Sequence, residues 1–187
     1  MNSGLKSGLV LLVLGLICGT LLAFVNSFTA PRIFEIEEAA QYDAIKQFYF
    51  DPESPNYENE SLASLFDLEK VELGGDDVES IFYLRDKNTD DIEALGYVVF
   101  GKGYGDNPVK MLIVVDKNLN VIGTQTISHS ETPSIGGKIL NENDYGITSF
   151  LENTTYDAVA GSTRTEEAIN ECFQIVADRI SDDLGGN

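Results

Sequence analysis

The sequence predicts an α+β protein: one N-terminal transmembrane helix followed by a single domain of antiparallel strands with flanking helices. Three patterns carry the prediction. An uncharged apolar run fills residues 8–28, short strand-like segments succeed one another between residues 80 and 127, and an amphipathic repeat closes the chain. A chain of 187 residues has room for one domain plus an anchor, and hardly for two full cores.

From Gly8 to Phe28 the run GLVLLVLGLICGTLLAFVNSF carries no charge. At about 1.5 Å per residue it reaches across roughly 30 Å of hydrocarbon. A cleaved signal peptide is the competing reading, but its apolar region is about 7–15 residues and ends in a small-residue cleavage site. Cys18 follows Ile17, not the small residue expected of a lipid-attachment site. Gly8, Gly15 and Gly19 either admit a neighbouring helix closely or reflect the frequency of glycine in such spans. Lys6 and the amino terminus against Arg32 favour an inside N-terminus, which puts the domain on the extracytoplasmic side of a single-pass anchor.

After Pro31, residues Ile33, Ile36, Ala40, Ala44, Ile45 and Phe48 recur near one helical face, so a second helix is expected to leave the membrane and pack on the domain. Asp51 to Asn59, with Pro52 and Pro55, reads as a loop. Strands are expected over Ser80–Arg85, Ala94–Phe100, Lys110–Val115 and Asn120–Ile127, with turns at Asp106-Asn107-Pro108 and Lys117-Asn118. The last helix, Thr165–Ile180, aligns Ile169, Cys172, Phe173, Val176 and Ile180 on one stripe, where Cys172 becomes an inert core thiol.

Composition excludes several classes. Twelve Lys plus Arg against 31 Asp plus Glu give a net charge of -19, the wrong sign for a phosphate-backbone reader, so no nucleic-acid partner is expected. Residues 1–30 hold one Lys and no acid, so the rest of the chain is the acidic part. An apolar fraction of 43% excludes a disordered acidic chain. Two cysteines and one histidine exclude a disulfide framework, a four-Cys metal site and a His-rich one.

Two stretches could carry chemistry. His129-Ser130-Glu131 suggests a nucleophile with a base, but neighbours on a strand point to opposite faces, so a hydrolase is disfavoured and His129 is read as a structural hydrogen-bonding residue. The stretch from Asp157 to Glu166 opens the final helix with small and hydroxyl residues, whose N–H groups suit a phosphate. Thr163-x-x-Glu166 equally fits a capping box that binds nothing. Local pattern leaves both readings open.

At these residues the sequence resembles the G subunit of the Rnf-type electron transport complex, and more distantly the C subunit of the sodium-pumping NADH:quinone reductase. The likeness runs through NSFTAPRI, GKGYG, HSETPSIG and DAVAGSTRT, in that order. The resemblance implies a membrane-tethered FMN-binding domain with FMN joined through its phosphate to a threonine hydroxyl. Carried across, that acceptor is Thr163, Gly161 is the motif glycine, and Asp157 and Thr165 are its flanking acid and hydroxyl, whereas Ala160, Ser162 and Glu166 depart from the pattern. Glu131, Thr132, Pro133 and Gly136 match a loop that the family places beside the isoalloxazine ring, with Thr132 donating to a ring carbonyl and Glu131 setting polarity.

The implied organisation is a transmembrane anchor at 1–30, a membrane-exit helix and loop at 31–60 and an FMN-binding domain at 61–187. The implied role is an electron-relaying redox subunit of an ion-translocating ferredoxin:NAD oxidoreductase rather than a stand-alone enzyme. Its expected partners are the other subunits of the complex, a flavin transferase, and the lipid bilayer through residues 8–28. Alternatives are membership of the related quinone reductase, a free-standing extracytoplasmic flavoprotein, or an unflavinylated assembly module motivated by the altered motif residues.

Overall fold

A computed structural model describes residues 3–104, 107–157 and 162–185. Its contacts divide the chain into two units, Met1–Ala40 and Gln41–Asn187.

The described residues of the first unit all belong to helix α1 (Ser3–Tyr49), which continues across Pro31 instead of restarting after it. Proline costs a helix one backbone hydrogen bond, and a helix this long absorbs that loss. Among the described residues this is the one helix long and apolar enough to cross a membrane. The hydroxyls of Thr20, Ser27 and Thr29 donate back to the carbonyls of Leu16, Phe24 and Val25 at 2.7, 2.7 and 3.1 Å, as hydrocarbon requires. Ile33 and Ile36 are 54% and 68% exposed.

Within the second unit, the final turns of α1 from Gln41 onward lie on one face of a five-stranded antiparallel sheet. The strands are β1 (Phe66–Glu72), β2 (Val78–Asp86), β3 (Ile92–Gly101), β4 (Val109–Asp116) and β5 (Val121–Ser128), in the order β1-β2-β3-β4-β5. Four of them sit where β-branched runs predict strands. No such run announces β1, because FDLEKVE gains its place only by pairing with β2 from Phe66↔Asp86 to Glu72↔Ser80. Two helices follow: α2 (Gly136–Glu142), which no periodic pattern marks, and α3 (Thr163–Asp183).

On the α1 side, Ala44 and Ile45 pack with Phe82, Leu84, Val98, Leu112 and Val114. Buried Lys110 pairs with Glu79 at 2.6 Å, and Gln41 donates to the same carboxylate at 3.2 Å. On the other side, Ile169, Cys172, Phe173, Val176 and Ile180 of α3 pack with Tyr97, Val99, Met111, Ile113 and Val115. Each such side chain contributes about 1.5–3 kcal/mol by leaving water. The stripe has its expected spacing, and burial pushes the Cys172 thiol well above its ordinary range.

Gly101 lets α3 reach the end of β3: a Cβ there would sit 2.9 Å from Cys172 Sγ and collide with the Ala168 carbonyl. The sheet edges differ in character. β1, at one edge, exposes Asp67, Glu69 and Glu72, while the Lys70 side chain is buried over the Phe82 ring and pairs with Glu72 at 2.7 Å. β5 is partly covered by residues 143–150: Val121 N–H donates to Thr148 O at 2.9 Å, and Asn143, in a left-handed conformation with φ 52°, accepts from Thr126 N–H at 2.6 Å through Oδ1.

Candidate functional site

The chain from Ser128 to α2 is held in a tight turn, because the Ile135 and Gly137 amides both donate to Thr132 O, at 3.1 and 3.0 Å. The turn leaves Thr132, Pro133 and Ser134 exposed and buries Glu131 beneath them. Further along the chain, α3 starts with Ser162 as its N-cap, and its first intrahelical bond is Glu166 N–H to Ser162 O at 2.9 Å. The amides of Thr163, Arg164 and Thr165 precede that bond and have no intrahelical acceptor.

These two segments meet in one cavity of about 400 Å³, lined by Tyr104, Glu131, Thr132, Ile135, Gly136, Ser162, Thr163, Arg164 and Thr165. Its volume lies in the range of about 300–1,000 Å³ usual for small-molecule sites. Glu131 joins three stretches of chain: Oε1 accepts from Tyr104 N–H at 2.6 Å and Oε2 accepts from the Thr165 hydroxyl at 2.8 Å. Glycine lies close on both sides of that carboxylate. A Cβ on Gly103 would collide with Glu131 Oε1, and one on Gly136 would collide with Thr165 Oγ1.

The structure thus brings together Glu131, Thr132, Gly136, Ser162, Thr163 and Thr165 of the residues singled out in the sequence. Asp157 and Pro133 are exposed and do not line the cavity. Gly161 and Ala160 lie outside the described residues. The capping-box reading is corrected, since Ser162 and not Thr163 holds the cap position, which places Thr163 inside the first turn and moves Glu166 out of the reciprocal position. Glu166 does not line the cavity. It helps hold the Tyr156 phenol above its ordinary pKa, after burial and Glu142.

Strand alternation does not govern His129 and Ser130, a second correction, because β5 ends at Ser128. Ser130 instead donates to Asn107 O at 3.2 Å. His129 does not act as the expected hydrogen-bonding residue through Nδ1, which is buried without a partner; its ring packs where a Cβ on Gly137 would lie 3.1 Å from Cε1.

Sequence reasoning assigns no site role to four contributors, although Ile135 reads as a departure from leucine in the HSETPSIG loop. Tyr104, Ile135 and Arg164 line the cavity, and Arg164, paired with Glu167 at 3.3 Å, is the one cation among the described lining residues. Asn170 lies nearly two turns into α3 and clamps the backbone of Tyr156, accepting its N–H at 2.6 Å and donating to its carbonyl at 3.0 Å. The Tyr156 ring meets Tyr145 edge-on at 5.3 Å, and Tyr145 meets Phe173 at 5.8 Å, so the approach to the start of α3 is tied to the core. An i,i+3 charge pair and a helical asparagine are too common in sequences to signal such roles.

Comparison with known proteins gives two family matches: residues 1–48 match the RnfG N-terminal region, and residues 103–178 match the FMN-binding domain. The chain is 30% identical over 150 residues to the G subunit of the ion-translocating oxidoreductase complex of Shewanella piezotolerans, covering 80% of this chain and 68% of that protein. It is 26% identical over 156 residues to the protein of that name from Shewanella amazonensis, covering 83% and 71%. The protein of the same name from Stutzerimonas stutzeri is 29% identical over 131 residues, covering 68% and 54%.

Proposed function

Because the chain belongs to the family of the G subunit of the ion-translocating oxidoreductase complex, we propose that it is the membrane-anchored, FMN-carrying electron-transfer component of such a complex. The other subunits are its partners, and its flavin domain lies on the extracytoplasmic side. The observation that carries the reading is the cavity where the Glu131–Gly136 turn meets the first turn of α3, with the exposed Thr163 at its wall.

The residues fit a phosphate-bearing flavin. Orphan amides and the positive end of the α3 dipole suit an anion, and Arg164 adds a guanidinium beside them. Thr132 and Ile135 provide an exposed hydroxyl and an exposed apolar surface on the opposite wall. The Thr163 hydroxyl is the attachment point and not a catalytic nucleophile in electron transfer. Attachment there would exchange the bond between the FMN phosphate and the leaving nucleotide of a flavin dinucleotide for one to Thr163 Oγ, with the hydroxyl proton going to a base on the flavin transferase. No electrons change hands in that step. Once bound, FMN supplies the one- and two-electron chemistry, while the protein fixes its place and its electrostatic surroundings.

The test is to express the full chain with a flavin transferase, denature it, and measure intact mass and in-gel flavin fluorescence. The expected result is a mass gain of FMN minus water on the peptide holding Thr163, abolished by Thr163→Ala. Covalent flavin retained in that variant would refute the attachment.

A further inference from the structure

We propose that Glu131 is a positioning residue that selects the modified hydroxyl: it draws the Thr165 hydroxyl inward and locks the Gly103–Tyr104 turn against α3, leaving Thr163 as the hydroxyl open to a modifying enzyme. This rests on the attachment reading above and specifies how the site achieves it.

Three hydroxyls stand within four residues at the start of α3, those of Ser162, Thr163 and Thr165, and chemistry alone does not distinguish them. Burial does. Ser162 is 7% exposed and Thr165 2%, whereas Thr163 is exposed. The Thr165 hydroxyl is committed to Glu131 Oε2, and the other oxygen of that carboxylate holds the Tyr104 amide. Glu131 is itself 8% exposed, so losing it strands the buried Thr165 hydroxyl without its acceptor and releases the Tyr104 amide.

The two flanking glycines show that the surroundings are shaped to the carboxylate, since a methyl on either Gly103 or Gly136 would occupy the space of the clamp. The clamp ties together the turn at residues 103–104, the turn at 131–136 and the first turn of α3, its partners lying 27 and 34 residues from Glu131 in the chain. It therefore acts on the helix start through Thr165, without needing to touch the flavin.

Glutamine separates the bonding role from charge. Its carbonyl can still accept from Tyr104 N–H, and its amide can donate to Thr165 Oγ1. In Glu131→Ala, flavin attachment to Thr163 falls by about tenfold or more, while Glu131→Gln stays within about threefold of wild type. The second measurement needs no flavin: backbone hydrogen exchange on full-length Thr163→Ala protein in micelles, with and without each Glu131 change. Exchange at Tyr104 and at Glu166, the first hydrogen-bonded amide of α3, rises by about ten- to a hundredfold with alanine, the range expected for losing bonds to a carboxylate, and stays low with glutamine. Thr165→Val, which keeps the shape and removes one donor, gives a smaller rise in the same direction.

Unchanged exchange in Glu131→Ala, or equal effects of glutamine and alanine, would overturn the proposal. Absence of flavin from wild type would overturn only the attachment reading, because the exchange measurement stands without it. Flavin mapped to Thr165 or Ser162 in the wild-type chain would overturn the selectivity claim.

Discussion

Replacing Gly136 by alanine tests how tightly the cavity wall is built. The added Cβ would lie 2.8 Å from Glu131 Oε2 and 3.2 Å from Thr165 Cβ, and would overlap Thr165 Oγ1. Gly136 is the first residue of α2 and is buried, so its backbone cannot retreat into solvent. The least costly escape is rotation of the Thr165 side chain, which breaks its 2.8 Å bond to Glu131. Losing a hydrogen bond to a carboxylate costs about 1.5–3 kcal/mol, and overpacking costs about 1–3 kcal/mol. Because relief of one reduces the other, the combined loss is about 2–4 kcal/mol. With a urea dependence of roughly 2 kcal/mol per molar for a domain of this size, the midpoint falls by about 1–2 M. Pulse proteolysis of the full chain in micelles across a urea series measures that midpoint. Ser134→Ala, exposed in the same turn, is the control and moves stability by no more than about 0.5 kcal/mol. A Gly136→Ala midpoint indistinguishable from the control would show that the wall yields freely and that the clamp geometry is wrong.

The packing of α3 sets two more expectations. Stability falls above about pH 9, because the buried Cys172 thiol keeps its proton in the folded state and loses it in the unfolded chain. Each pH unit past the ordinary thiol value costs about 1.4 kcal/mol, and Tyr145, pushed up to about 12 chiefly by burial, adds to the fall beyond about pH 10. Urea midpoints measured from about pH 8 to 10.5 check this, and Cys172→Ala flattens the first part of the decline. Asn170→Ala removes both bonds to the Tyr156 backbone, raises amide exchange at Tyr156 by about tenfold and lowers flavin attachment to Thr163; Asn170→Asp keeps the acceptor and recovers most of the protection. Mass spectrometry of exchanged peptides and of the intact chain reads both effects.

Residues reveal what local periodicity determines. The apolar runs of β3 and β4 and the stripe through Ile169 and Ile180 are visible because each buries a face in a regular repeat. β1 is not, since Asp67, Glu69, Lys70 and Glu72 interrupt its apolar residues and only the neighbouring strand makes it extended. α2 opens on Gly136-Gly137, poor helix formers in a place where Thr165 and Glu131 crowd any Cβ at Gly136 and His129 lies close to one at Gly137. The cap of α3 falls one position before the motif that suggests it, because Thr163-x-x-Glu166 satisfies a capping pattern that local geometry does not use. The two halves of the cavity are legible as motifs through resemblance. Their junction through Glu131, and the contributions of Arg164 and Asn170, depend on contacts between distant segments that no local pattern encodes.

The charged outer strand has a consequence for life on a surface. A tethered domain moves in two dimensions, and copies meet far more often than they would free in solution. An unpaired strand rich in branched apolar residues would zip to its counterpart on the next copy. β1 instead alternates its apolar residues with the charged Asp67, Glu69 and Glu72, and β5 is partly roofed by residues 143–150. Charge on one edge and a covering segment on the other therefore disfavour edge-to-edge pairing of such domains when they crowd together.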